Sequence, residues 1–114
     1  MVLLKIVILQ ITIQHRTLLK KVQNFIKSYK AKYNEDPSAF SALGYDAAYI
    51  VKASIEKAGS TDKKAVVEAM KNINYDGVTG QLTFDAKNNP VKAVTIIKVV
   101  DGTTHLIQLF SLNS

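Results

Sequence analysis

His15 and His105 are the only imidazoles in the chain, ninety positions apart, and cysteine is absent. A zinc or copper site gathers such ligands at short spacing, as in His-x-x-x-His. That spacing does not occur, so both histidines are read as solvated strand-end side chains. Asp85-Ala86-Lys87-Asn88-Asn89 collects oxygen ligands, but it lacks the alternating spacing and closing glutamate of a calcium loop. It is expected to be a turn. Gly77-Val78-Thr79-Gly80 is not followed by the Gly-Lys-Ser/Thr of a phosphate loop. Ser41, Ser54 and Ser60 lie outside any Gly-x-Ser-x-Gly elbow, and the carboxylates are scattered singly without an acid–base pair. The expectation is a chain that is not an enzyme and needs no metal or cofactor.

The net charge of +6 suggests nucleic acid until it is located. Residues 1–33 hold Lys5, Arg16, Lys20, Lys21, Lys27, Lys30 and Lys32 and no acid, whereas the remainder carries eight lysines against nine acids. The basic excess belongs to one segment. Residues 17–33 contain five lysines and no arginine, and arginine supplies the planar fork that reads guanine. Tyr29 and Tyr33 fall on the apolar stripe of this segment and are expected to pack rather than to stack on bases. A solvated lysine face is therefore preferred to a site for nucleic acid or acidic lipid.

These residues need elements to hold them, and 114 residues allow one small domain or a piece of a larger one. The opening MVLLKIVILQITIQH is split by Lys5 and followed by no small-residue cleavage site, so it is not read as an export signal. It is also too short and interrupted to cross a membrane. Its β-branched residues predict a strand over 2–13 that requires a sheet to join. Leu18, Val22, Phe25, Ile26, Tyr29 and Tyr33 at helical spacing predict a helix over 18–33, ending ahead of Pro37. FSALGYDAAYIVKASIEKAGS, residues 40–60, predicts a second helix whose apolar residues wrap most of its circumference. Only Asp46, Lys52, Ser54, Glu56 and Lys57 break that surface, and Gly59 is placed to stop the helix. Ser60 or Thr61 is expected to cap a third helix with Asp62 in its first turn and Ala65, Val66, Ala69, Met70 and Ile73 on its buried side. YDGVTG is read as a link, QLTF as a short strand, and VKAVTIIKVV and THLIQLF as two further strands. Asp101-Gly102 between the last two favours a type I′ hairpin. The predicted order is β-α-α-α-β-β-β. Cysteine usage leaves the compartment open.

The run from Asn24 to Met70, followed by DGVTGQLTFDAKNNPVKAVTIIKVVDG, resembles the C-terminal part of the solute-binding proteins of branched-chain amino acid ABC transporters. The resemblance rests on order and spacing over about residues 18–110: a Phe/Tyr/Lys helix, Pro37, ALGYDAAY, AGS, GVTGQLTFD and a closing hairpin.

The resemblance implies an α/β chain, an incomplete type I periplasmic-binding-protein fold in which two lobes close on the ligand. Residues 1–16 would stand outside the family pattern and 17–114 within it. Segments 17–36 and 92–114 would belong to one lobe and 37–91 to the other. The apolar second helix would then be covered by a parallel sheet and neighbouring helices. By position in the family, Ser41 and Ala42 would line the cleft. The implied role is capture of a Leu, Ile, Val or similar amino acid for import, with a membrane permease as partner and a periplasmic or cell-surface location. This stretch alone is expected not to hold a ligand. A second reading is a self-associating structural module, a homo-oligomer formed through exposed apolar surface. A third is a lysine-rich binder of nucleic acid or acidic membrane.

Overall fold

A computed structural model describes residues 19–110, and the strand expected over 2–13 lies outside them. Helix α1 runs Lys20–Tyr33, α2 Ala39–Ala58 and α3 Lys63–Lys71. Strands β1 (Tyr75–Gly77), β2 (Gly80–Phe84) and β3 (Pro90–Val91) form an antiparallel sheet in that order. β4 (Val94–Val100) and β5 (Thr103–Phe110) form a separate antiparallel hairpin.

The helix boundaries follow from their caps. At the head of α2, Ser38 Oγ accepts from the Ser41 N–H while Ser41 Oγ accepts from the Ser38 N–H, both at 3.2 Å. This reciprocal box satisfies two backbone donors that a helix start otherwise leaves orphaned. α2 ends as expected at Gly59, which takes φ +63° and donates its N–H to the Ile55 and Glu56 carbonyls. The expected end of the first helix at Tyr33 holds, and one cap expectation, that of α3, needs correction. α1 is ended by Asn34, left-handed at φ 56° with its N–H on the Lys30 carbonyl, three residues before Pro37 can act. Asparagine tolerates this conformation better than other side chains with a Cβ. α3 is capped by Asp62 itself, whose Oδ2 accepts from the Ala65 N–H at 3.1 Å, while Ser60 Oγ accepts from the Asp62 N–H.

The strands correct the expectation in two places. YDGVTG is a tight hairpin in which Gly77 pairs with Gly80 across Val78-Thr79. VKAVTIIKVV is divided, since Pro90–Val91 pairs with β2 and Val94 onward pairs with β5. DAKNN is a turn, as predicted. Asp85 Oδ1 accepts from the Lys87 and Asn89 N–H groups at 2.8 Å, and these bonds hold its carboxyl below the usual carboxylate range, the Asn89 backbone N–H most of all. Asp101 and Gly102 both have positive φ, 50° and 74°, as a type I′ turn requires.

The core lies where α1, α2 and the β1–β2 turn meet. Val22, Phe25, Ala42 and Val78 are buried together, with Ile26 and Tyr29 packed against them. Burying a valine or phenylalanine side chain contributes roughly 1.5–3 kcal/mol. Ala65, Val66, Ala69 and Met70 of α3 are half-buried and Ile73 is buried, as the periodicity predicted. Lys57 Nζ ties α2 to the end of α3 through the Asn72 carbonyl at 2.6 Å.

Candidate functional site

Two groups of residues attract attention, one at the start of α2 and one in its middle. At the start, Ser41 is half-buried, and its hydroxyl bridges the Ser38 cap to the Tyr29 phenol, 3.2 Å away. Ala42 is fully buried among Val22, Phe25 and Val78. The two expected site residues thus share a helical turn but face different surroundings. Phe40, between Ala39 and Ser41, is 72% exposed, a large apolar side chain held out from the same turn. Sequence reasoning passed over it because an aromatic in an apolar helix is assumed to pack.

The middle of α2 holds a polar cluster that sequence reasoning also missed. Asp46 is 4% exposed. Its Oδ1 accepts from the Val78 N–H at 2.9 Å, and its Oδ2 accepts from the Thr79 N–H at 2.9 Å and the Thr79 hydroxyl at 2.5 Å. A carboxylate can be buried only when donors surround it in this way. The site also dictates its neighbour. A Cβ on Gly77 would lie 2.4 Å from Asp46 Oδ2, so only glycine lets the turn approach. The signal available was an aspartate breaking an apolar surface, with a glycine-flanked turn elsewhere in the chain. Nothing local links the two, which are 32 residues apart.

The outer side of α2 is unlike either group. Tyr33, Tyr29, Phe25, Tyr45 and Tyr49 form a continuous run of rings across α1 and α2, with successive centroids 4.6, 6.0, 4.7 and 4.8 Å apart. Tyr33 is 53% exposed, so it is not committed to packing as the sequence suggested. A groove of about 440 Å³ follows this run, with Asn24, Ser28 and Lys32 among its walls. The hydrogen bond with Tyr49, then burial, pushes the Tyr45 phenol up to about 12. Burial also raises Tyr75, with the negative charge of Asp46 adding to it.

The remaining candidates take structural parts. Ser54 is fully buried and donates to the Ile50 carbonyl at 2.7 Å, and Ser60 serves the Asp62 N–H. His105 pairs with Lys98 across the β4–β5 hairpin, and His15 lies outside the described residues. Of the lysines, Lys21 bonds the Asp76 carboxylate and carbonyl, and Lys30 pairs with Asp36 at 3.2 Å. Among the described residues no cluster of three or more His, Cys, Asp or Glu could hold a metal ion. No helix there is long and apolar enough to cross a membrane.

Known proteins share this arrangement. The sequence profile of a family described as periplasmic binding protein matches residues 11–104. The leucine-, isoleucine-, valine-, threonine- and alanine-binding protein of Pseudomonas aeruginosa is 39% identical over 70 residues, which is 60% of this chain and 18% of that protein. The structure is similar to that of a leucine-binding protein, LivK, from Thermotoga maritima, at 31% identity and a TM-score of 0.65, covering 82% of this chain and 27% of the other. It is similar to the isoleucine complex of LivJ from Streptococcus pneumoniae at 33% identity and a TM-score of 0.65, covering 77% and 26%. The chain thus spans less than a third of the length of each of these relatives.

Proposed function

Because the chain belongs to the periplasmic binding protein family, we propose that it is part of the solute-binding component of an ABC importer for branched-chain or similar amino acids. The observation that carries this reading is its identity with binding proteins whose names specify leucine, isoleucine and valine. Such a component performs no bond chemistry. Two lobes close around the ligand and present it to a membrane permease, in the periplasm or at the cell surface.

The first turn of α2 is proposed as one wall of that cleft. Ser41 offers a hydroxyl already oriented by Ser38 and Tyr29, and Phe40 offers exposed apolar surface suited to an aliphatic side chain. Ala42 supports the wall from behind, since its methyl group is buried in the core. The lobe division drawn from the resemblance needs one amendment. α1 shares the Val22–Phe25–Ala42–Val78 core with α2, which supports grouping it with residues 37–91 and leaving 92–114 to the second lobe.

One wall cannot grip both ends of an amino acid, whose ammonium and carboxylate each need charged or multiple hydrogen-bonding partners. The expected result of isothermal titration of this chain with leucine, isoleucine and valine is no measurable heat of binding. Micromolar affinity would show that the cleft is complete within these residues.

A second reading, self-association, is favoured by one observation: Phe40, Tyr45, Tyr49 and Val51 are all at least 39% exposed on α2. They lie on two flanks of the helix, Phe40 with Val51 and Tyr45 with Tyr49, and each flank is apolar surface that a partner would shield from water. Sedimentation velocity should show mass rising with concentration, and a constant monomer mass up to high concentration removes this reading. The lysine-rich binding reading gains nothing comparable, since Lys21 and Lys30 are engaged by acids within the chain.

A further inference from the structure

Among the described residues, the exit from the three-stranded sheet is thinly held. β3 offers only Pro90 and Val91, opposite Phe84 and Thr83, and a proline has no N–H to give a ladder. β4 begins at Val94, so Lys92 and Ala93 are the whole link between the sheet and the terminal hairpin. At this link Lys92 Nζ reaches back to Thr79 Oγ1, 2.5 Å away. An ammonium can only donate, and an ionised carboxylate can only accept. The Thr79 hydroxyl must therefore accept from Lys92 and send its own proton to Asp46 Oδ2. The direction of both bonds is set by the groups at the two ends, and the middle member, Thr79, is 3% exposed. Bonds to charged groups sheltered from water are stronger than neutral ones.

We propose that Lys92, Thr79 and Asp46 form a latch that ties the exit of the sheet to the middle of α2 and fixes the direction in which the β4–β5 hairpin leaves. The inference rests on the function proposed above, in which residue 92 opens the segment given to the second lobe. The latch then sits at a crossing between lobes. It sets their resting angle by holding the crossing strand against the helix whose first turn forms the cleft wall. All three are positioning residues with no part in holding the ligand. Opening the Lys92–Thr79 bond loosens the exit of the hairpin without disturbing the two backbone N–H bonds that Asp46 receives.

The test uses residual dipolar couplings on the isotope-labelled full chain, with Thr79→Val and Lys92→Met as two independent ways to open the latch. Thr79→Val keeps the β-branched shape and removes only the hydroxyl. In the unsubstituted chain the amides of α2 and of β4–β5 should fit a single alignment. In both variants the hairpin couplings should fall at least twofold relative to those of α2, while the Val78 and Thr79 amides stay protected from exchange. Thr79→Ser should restore the single alignment. A hairpin that fits the α2 alignment equally well in both variants overturns the proposal, as does one that fails to fit it before any substitution. No ligand enters the measurement, so its outcome is separate from the amino-acid titrations that test the solute-binding reading.

Discussion

Along the inner side of α2, Ala42, Asp46 and Ser54 are each less than 5% exposed, and both polar members have their bonds inside the fold. Along the outer side, Phe40, Tyr45, Tyr49 and Val51 keep between 39% and 72% of their surface in water. One helix thus carries a buried face, where even a carboxylate is satisfied, and exposed apolar residues on its two flanks, Tyr45 against Tyr49 on one and Phe40 with Val51 on the other. Asp46 and the exposed rings depart from the usual pairing of polarity with exposure, which Lys52, Glu56 and Lys57 of the same helix keep. A buried charge tolerates no missing donor, so the inner face is complete within these residues. Apolar surface costs less to leave open, and these outer residues stay exposed.

The sharpest way to break this comparison is Asp46→Ala. It orphans the Val78 and Thr79 N–H groups and the Thr79 hydroxyl together. At roughly 1–3 kcal/mol for each buried donor left unpaired, a loss of about 4 kcal/mol is expected in urea unfolding. A loss below about 1 kcal/mol would mean that the turn does not depend on the helix. Next is Gly77→Ala, which drives a methyl group against the Asp46 carboxylate. Overpacking of this kind costs about 2–3 kcal/mol. In an Asp46→Ala background the same change should cost far less, and a double-mutant cycle that is strictly additive would remove the steric account.

The outer face should respond least to substitution and most visibly to alkali. Tyr45 ionises near 12 because of its bond with Tyr49, above the ordinary tyrosine value of 10. The folded chain therefore keeps a phenolic proton that the unfolded chain releases earlier. The stability from this group is fully present below pH 10 and is lost as pH rises through about 12. Phenolate absorbance should show Tyr45 ionising near 12 and Tyr75 also above its ordinary value, and Tyr49→Phe should bring Tyr45 back toward 10 with little change in stability at neutral pH. An unchanged titration would show that the two phenols do not meet.

Much of the fold was legible in the sequence where neighbours in the chain decide the outcome. The spacing of Val22, Phe25 and Tyr29 marks α1, Gly59 stops α2, and Asp101-Gly102 turns the last hairpin. One error arose where local candidates competed. Asp62 displaced Ser60 and Thr61 as the cap of α3, whereas α1 stops at Tyr33 as expected, with Asn34 as the residue that closes it. The link over 75–80 was not recognised as a hairpin because its strands are short and its first pairing residues are polar or glycine. For the candidate site, Ser41 and Ala42 were reached through resemblance alone. Phe40 beside them became visible only when its exposure was known.

The sequence by itself determined the helices, their stops, the closing turn and the family, because periodicity, capping and motif order are properties of residues close in the chain. The tertiary structure alone decided what Asp46 is for and which side of α2 stays open. Those outcomes depend on Val78 and Thr79, some thirty residues away, arriving with donors that match a carboxylate. Burial is a property of what surrounds a residue, and no spacing along the chain encodes which distant turn will come to satisfy it.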